Sequence, residues 1–241
     1  MDITLFLQQM VNGFSLGSMY ALIAIGYTMV YGVLRLINFA HGDIMMVGAY
    51  VALFCMTSMA LPFGFALLFA VVVSALLGVC TDKIAYKPLR SAPRISLLIT
   101  AIGISFLLEN VFQVVFGGTP RSFNVPEFFE QVVSIGAITL PVSAIFVPVI
   151  TIFLLMIVLY VLYKTKYGIA IRALAFDIST VNLMGIDANL IISIVFGLGS
   201  SLAAIGGVFW AINYPSIDPL MGVLIGLKAF AAAVLGGIGS V

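Results

Sequence analysis

Long uninterrupted apolar runs constrain this chain more than any other feature. They have the length of membrane spans and lie near residues 10–33, 44–60, 62–80, 96–116, 140–163 and 189–212, with a seventh run beginning near residue 222. About 20 apolar residues are enough to cross the roughly 30 Å hydrocarbon layer of a bilayer. In lipid each segment must satisfy its own backbone hydrogen bonds, so these runs predict α-helices despite their Val, Ile and Phe content.

The composition agrees with a membrane environment. Hydrophobic residues make up 63% of the 241 residues and charged residues 8%, whereas soluble domains carry roughly 25% charged residues. The longest polar stretches, at 80–95, 117–131 and 164–187, are loop-sized. We therefore predict an all-α integral membrane protein with six to seven transmembrane helices, forming a single transmembrane domain over residues 1–241.

The charged residues and cysteines argue against several classes of partner. A formal net charge of +1 provides no basic field for nucleic acid. The two cysteines, Cys55 and Cys80, lie in or at the end of apolar runs and have no metal-binding spacing, so we interpret them as helix-packing residues.

The distribution of Lys and Arg predicts the orientation of the helices. Short loops rich in these residues stay in the cytoplasm. Two links have this character, and their basic residues are Lys83, Lys87, Arg90 and Arg94 in one and Lys164, Lys166 and Arg172 in the other. The alternating links 117–139 and 213–221 are neutral or acidic and contain prolines. This pattern places the N-terminus outside.

Polar residues inside the fourth run are the first functional candidates. Glu109 and Asn110 lie about 10 Å from the predicted outer end of this helix, at 1.5 Å per residue. A carboxylate facing lipid is costly, so both should face protein or a water-filled cavity. They are candidates for a substrate path, and the alternative for Glu109 is a hydrogen-bonded carboxyl group that holds helices together.

The first and sixth runs share a similar pattern of small residues. Gly17-Ser18 followed by Ala21, Ala24 and Gly26 is matched by Gly199-Ser200 followed by Ala203, Ala204 and Gly206. The two predicted helices run in opposite directions, as in an inverted-topology repeat, which places a transport path at the repeat interface.

Several blocks of sequence resemble one family. Gly17-Ser-Met-Tyr-Ala-Leu-Ile-Ala-Ile-Gly-Tyr-Thr-Met-Val-Tyr-Gly32 leads into Ile37-Asn-Phe-Ala-His-Gly-Asp43 and Gly48-Ala-Tyr50. Lys83-Ile-Ala-Tyr-Lys-Pro-Leu-Arg90, Arg172-Ala-Leu-Ala-Phe-Asp177 with Leu183-Met-Gly-Ile186, and the stretch from Lys228 to Ser240 follow in order. Together they resemble the LivH-type permease subunits of branched-chain amino-acid ABC importers, which are related to urea, short-chain amide and ribose-type permeases.

The resemblance implies a transport subunit of the bacterial inner membrane that is not an enzyme and needs no cofactor. Its implied partners are a second permease subunit, two cytoplasmic ATP-binding subunits and a periplasmic or extracellular substrate-binding protein. Family members continue for roughly two more helices, so we expect this chain to lack the C-terminal helices typical of the family.

The resemblance also implies roles for two groups of residues. Arg172, Asp177 and Gly185 fall in a cytoplasmic link that in the family couples the permease to its ATPases, where the residues alone indicate an amphipathic connector. Asn38, His41 and Asp43 fall in a polar interruption between helices, which we expect at the cytoplasmic mouth with a role in gating or structure. No second ligand lies near His41 at a useful spacing, so no metal site is predicted.

Other function classes fit less well. The alternatives are a permease for urea or short-chain amides and a stand-alone secondary carrier driven by an ion gradient. Such carriers place ionisable residues at the midplane, and Glu109 is the one candidate found in the sequence. An intramembrane enzyme needs a nucleophile with its base or a metal cluster, and neither pattern is present.

Overall fold

A computed structural model describes residues 3–135 and 138–239, and within them apolar helices form the body of the protein. The helices of the bundle are α1 (Ile3–Leu34), α2 (His41–Thr57), α3 (Phe63–Thr81), α4 (Arg94–Phe116), α6 (Val142–Lys164), α9 (Ala188–Asn213) and α10 (Met221–Leu235). The shorter elements are β1 (Arg121–Ser122), α5 (Glu127–Glu130), β2 (Val132–Ile135), β3 (Ile138–Pro141), α7 (Lys166–Phe176), α8 (Ile178–Leu183) and β4 (Ser216–Ile217).

The helix lengths confirm an all-α integral membrane protein. Five helices of the described chain are long and apolar enough to cross a membrane. The other two apolar helices, α2 and α10, have 17 and 15 residues. At 1.5 Å per residue they reach about 25 Å and 22 Å, less than the thickness of the hydrocarbon layer. The strands are short and lie in the loops, where β1 pairs with β4 and β2 with β3.

Helix α9 lies at the centre of the bundle and packs against α1, α2 and α3. Small residues allow the close approach. A Cβ atom added at Gly48 of α2 would lie 2.6 Å from the Cα atom of Ala204, and one added at Gly207 would collide with the Met45 carbonyl oxygen. Helices α1 and α9, which contain the similar patterns of small residues, meet at Gly26 and Gly199. The inverted repeat itself stays a prediction.

The loops gather at two opposite ends of the bundle. At one end the Tyr86 hydroxyl donates to Asn38 Oδ1 at 3.0 Å, and Arg35 donates to the Ala175 carbonyl oxygen at 3.1 Å. At the other end the Phe123 amide donates to the Pro215 carbonyl oxygen at 3.1 Å. The basic links thus share one end and the neutral or acidic links share the other, as the sequence pattern predicts.

The third helix continues further than its apolar run. Residues 82–86 form a π-helical turn and residues 87–89 a 3-10 turn, so the chain stays helical from Phe63 to Leu89. The stretch 80–95, which its polarity marked as a loop, is therefore mostly helical. Short π-helical segments inside longer helices are frequent at functional sites.

Candidate functional site

The N-termini of the two short helices meet inside the bundle. A Cβ atom added at Gly42, the second residue of α2, would collide with the Gly222 carbonyl oxygen at the start of α10 and lie 2.9 Å from the Gly226 Cα atom. Glycine at these positions lets the two backbones touch. The adjacent His41 ring lies against Gly26, which is about 12 Å from the end of α1.

Asp43 is buried where these two helix ends converge. It lies in the first turn of α2, and a Cβ atom added at Gly222 would be 2.5 Å from its Oδ1 atom. A helix N-terminus carries a partial positive charge of roughly half a unit, which stabilises a nearby carboxylate. Two such ends give a physical reason for a carboxyl group in the interior of a membrane bundle.

Ser105 and Glu109 of α4 complete a carboxyl cluster with Asp43. Ser105 lies at the centre of α4, and its hydroxyl donates to Asp43 Oδ2. The same hydroxyl lies 3.5 Å from Glu109 Oε1, one turn along the helix. A serine hydroxyl has a single hydrogen to donate, so it cannot serve both carboxylates at once.

A cavity of about 180 Å³ adjoins the carboxyl cluster between α4 and α10. Apart from the Tyr27 hydroxyl, its polar groups come from Ser105 and Glu109. The rest of its lining is aromatic or aliphatic and consists of Tyr27, Phe39, Ile102, Phe106, Val223 and Leu227. An apolar pocket with a few convergent polar groups is the usual form of a small-molecule site.

The structure brings three of the five predicted path residues, His41, Asp43 and Glu109, into one region of the bundle. Glu109 and Asp43 share Ser105, and the His41 ring packs on Tyr27 with centroids 4.5 Å apart. Asn38 is buried at the end of the bundle that holds the basic links. From there the link folds back to the middle of α4, where Asp43 lies, and a role of residues 38–43 in gating or structure stays a prediction.

Asn110 does not line the cavity of this chain. The side chain of this residue is exposed on the surface of the chain, and its amide donates to the Phe106 carbonyl oxygen at 2.7 Å. A helix turns by about 100° per residue, so Glu109 and its neighbour point in different directions. Within this chain Asn110 faces away from protein and cavity.

A second polar cluster, missed in the sequence, lies at the end with the basic links. Asp82 is fully buried, forms an ion pair with Arg90 and accepts a hydrogen bond from the Ser193 hydroxyl at 2.6 Å. Arg90 also donates to Asn189 Oδ1. This polar clamp of four residues joins the extension of α3 to α9. The one available signal was the position of Asp82, directly before the Lys83–Arg90 block.

The three predicted coupling residues lie on or just after α7 and α8. The Arg172 guanidinium is exposed and lies 5.1 Å from the centroid of the Tyr163 ring. Asp177 ends α7, and Gly185 follows α8 with a φ of +79°, a left-handed conformation that favours glycine. No group of three or more His, Cys, Asp or Glu side chains suited to a metal occurs among the described residues.

Large apolar side chains are exposed beside these coupling residues. Phe176 is 88% exposed, Leu183 89% and Met184 73%. We name these three residues the apolar patch. They lie at the end of the bundle that carries the basic links, where Arg35 contacts Ala175. An exposed group of large apolar side chains near polar ones is typical of a protein interface.

The apolar helices, the cavity and the buried carboxyl cluster define a multi-pass membrane protein of the transport class. The chain belongs to the family described as the permease component of branched-chain amino acid transport systems, whose family model matches residues 9–241.

Relatives from bacteria and an archaeon agree with this assignment. The high-affinity branched-chain amino acid transport system permease proteins BraD of Pseudomonas aeruginosa and LivH of Escherichia coli K12 are each 38% identical over 249 residues, covering 98% of this chain and 80% of the relative. The probable branched-chain amino acid transport permease LivH of Methanocaldococcus jannaschii is 31% identical over 230 residues, covering 92% of this chain and 71% of the relative. No solved structure gives a significant match.

Proposed function

We propose that this chain is the membrane-spanning permease subunit of an ATP-driven importer and forms part of the path for branched-chain amino acids across the bacterial inner membrane. The main support for this proposal is the 38% sequence identity to BraD and LivH over 98% of the chain. The chain has no catalytic role in this proposal, since ATP hydrolysis belongs to partner subunits.

The apolar patch and the basic links favour the cytoplasmic ATP-binding subunits as partners at this end. An ATPase that docks here would cover Phe176, Leu183 and Met184 and contact Arg172, Asp177 and Gly185. The polar clamp would transmit a movement of the docked ATPase to the helices of the bundle, because it fixes the extension of α3 to the central helix α9. The opposite end, with the N-terminus outside, would receive substrate from the binding protein.

The surface of α4 and α10 favours a second permease subunit as the neighbour on this side. Asn110 and Lys228 are both exposed on helices that are mostly apolar. Polar and charged side chains in membrane helices are costly against lipid and usually face protein or water. A second permease over this face would cover both side chains and close the open side of the cavity.

The path is proposed to pass the carboxyl cluster. Asp43, Ser105 and Glu109 lie near the centre of α4, where two helix N-termini converge. Transport sites near the midplane are often built from broken helices of this kind. The buried side chains of His41 and Asn38 continue the line of polar groups towards the basic end of the bundle.

Charge reversal tests the coupling surface. The double variant Arg172→Glu with Asp177→Arg should abolish copurification of the ATP-binding subunits and reduce leucine uptake by the assembled importer at least about tenfold. Glu127→Lys, at the opposite end, is the matched control and should retain both. Normal association and uptake in the double variant would contradict the proposed coupling role.

A reconstitution experiment separates the importer from a stand-alone carrier. The chain alone in liposomes should take up no leucine under a proton or sodium gradient, whereas the assembled importer with its binding protein should do so when ATP is supplied. Gradient-driven uptake by this chain alone, or uptake of urea in preference to leucine, would contradict the proposed function.

A further inference from the structure

The cavity between α4 and α10 has the composition of a site for a small amine with an apolar body. Its one charged lining group is Glu109, and most of its wall is aromatic or aliphatic. Such a pocket orients a ligand through its few polar groups and contacts the rest of it through apolar surface. The single anionic group selects a ligand that carries a positive charge.

The hydrogen bonds of the carboxyl cluster leave Glu109 in need of a donor. Glu109 is 6% exposed and lines the cavity. The Ser105 hydroxyl donates to Asp43, so its 3.5 Å contact with Glu109 provides no second hydrogen. A buried carboxylate without donors is costly. Asp43 Oδ1 is also buried without a hydrogen-bond partner among the described residues, but Asp43 lies beside two helix N-termini and outside the cavity lining, whereas Glu109 lies on α4 and lines the cavity.

An ammonium group satisfies this arrangement. It brings three N–H donors and a positive charge, and the faces of aromatic rings attract cations. Tyr27 and Phe106 supply such rings in the lining of the same cavity as Glu109. Ile102, Val223 and Leu227 supply the aliphatic surface for an apolar side chain.

We propose that Glu109 binds the α-ammonium group of the transported amino acid, with Ile102, Val223 and Leu227 in contact with its aliphatic side chain. The identity of this ligand rests on the proposed function of the chain as an amino-acid permease. The ammonium-binding property follows from the cavity itself and is measurable without transport.

Direct binding of an amine is the first measurement. The full chain in lipid nanodiscs is titrated with radiolabelled isoamylamine, which has the ammonium group and branched tail of leucine without its carboxylate. Saturable binding is expected for the wild-type chain and for the control E130Q, whose residue is exposed in the outer loop. E109Q should bind at least about tenfold more weakly. Equal binding by E109Q and the wild type, or no binding by either, would overturn the proposal.

Competition identifies the group that is recognised. Unlabelled isoamylamine and leucine should displace the label, whereas isocaproate, which has the same branched tail with a carboxylate alone, should not. Displacement by isocaproate as effective as that by isoamylamine would overturn the assignment of Glu109 to an ammonium group.

A second pair of variants keeps the test valid if E109Q does not fold. V223F fills the cavity from α10 without changing Glu109 and should weaken isoamylamine binding about tenfold. L224F alters a neighbouring exposed residue outside the cavity and should leave binding unchanged. The same affinity in V223F and L224F would place the ligand elsewhere and overturn the proposal.

Uptake by the assembled importer separates this proposal from the proposed function. Leucine uptake that is normal in E109Q would overturn the ammonium site while leaving the permease function in place. If the wild-type importer carries no leucine but binding of isoamylamine still depends on Glu109, the permease function and the identity of the ligand are both overturned.

Discussion

Asp82 joins two segments of the chain that are more than a hundred residues apart in sequence. Its two carboxylate oxygens are shared between Arg90 and Ser193, and the side chain is fully buried. Both partners meet the carboxylate with hydrogen-bond donors, which is the condition for a stable buried charge. The residue therefore holds the extension of α3 against α9.

Replacing Asp82 should destabilise the protein more than an exposed carboxylate does. Asp82→Asn removes the charge that pairs with Arg90 and weakens two hydrogen bonds, so the free energy of unfolding should fall by about 2 kcal/mol. Glu127→Gln, with an exposed side chain, should change it by less than about 0.5 kcal/mol. Unfolding in a mixed-detergent titration measures both, and equal stability of the two variants would contradict a structural role for the polar clamp.

Close contact between helix backbones holds α2 against α9. Helix α2 approaches α9 so closely that backbone atoms of one face small residues of the other, with Gly48 against Ala204 and Gly207 against Met45. Membrane helices gain little from the hydrophobic effect in lipid, so close backbone contact of this kind supplies much of their attraction.

A methyl group at this contact should separate the helices. Gly207→Ala places a Cβ atom against the Met45 carbonyl oxygen, which is backbone and cannot move aside, so a loss of about 1–3 kcal/mol is expected. Gly103→Ala in α4, where no heavy atom lies within 4 Å of the added Cβ atom, should leave stability unchanged or raise it. Thermal denaturation in detergent measures the pair, and a Gly207→Ala variant as stable as Gly103→Ala would show that the close contact is not required.

The whole molecule has two chemically different ends. Phe123 and Pro215 meet at one end, and Arg90 and Asn189 meet at the other. The positive-inside rule predicts that the end with the basic links faces the cytoplasm, and the coupling proposal depends on this orientation.

Cysteine labelling tests the orientation. In a background with Cys55→Ala and Cys80→Ala, Arg172→Cys should react with a membrane-impermeant maleimide in inside-out vesicles and be protected in intact cells. Glu130→Cys should show the reverse pattern. Both positions are exposed in this chain, so when it is expressed without the ATP-binding subunits, failure to react would reflect the membrane barrier. Labelling of Arg172→Cys from outside would contradict the coupling proposal and the N-terminus-outside topology together.

The sequence predicted the helices well because a segment in lipid must be apolar and must satisfy its own backbone hydrogen bonds. Every predicted apolar run overlaps a helix of the bundle, and the grouping of the links follows from their charges. Element boundaries were less predictable, as the helical turns after Thr81 show. Glu109 was identified as buried, whereas Asn110 was not distinguished from it, because adjacent residues share a depth in the membrane but not a direction.

The membrane environment of this protein, its helices and its family could all be predicted from the amino-acid sequence, since each depends on local composition or on contiguous motifs. Tertiary structure decided which polar groups meet. Asp43 and Ser105 are separated by 62 residues, and Asp82 and Ser193 by 111. Their pairing depends on glycine contacts that bring the N-termini of α2 and α10 together and on the central position of α9. Such contacts arise from packing between distant segments, which no single stretch of the chain encodes.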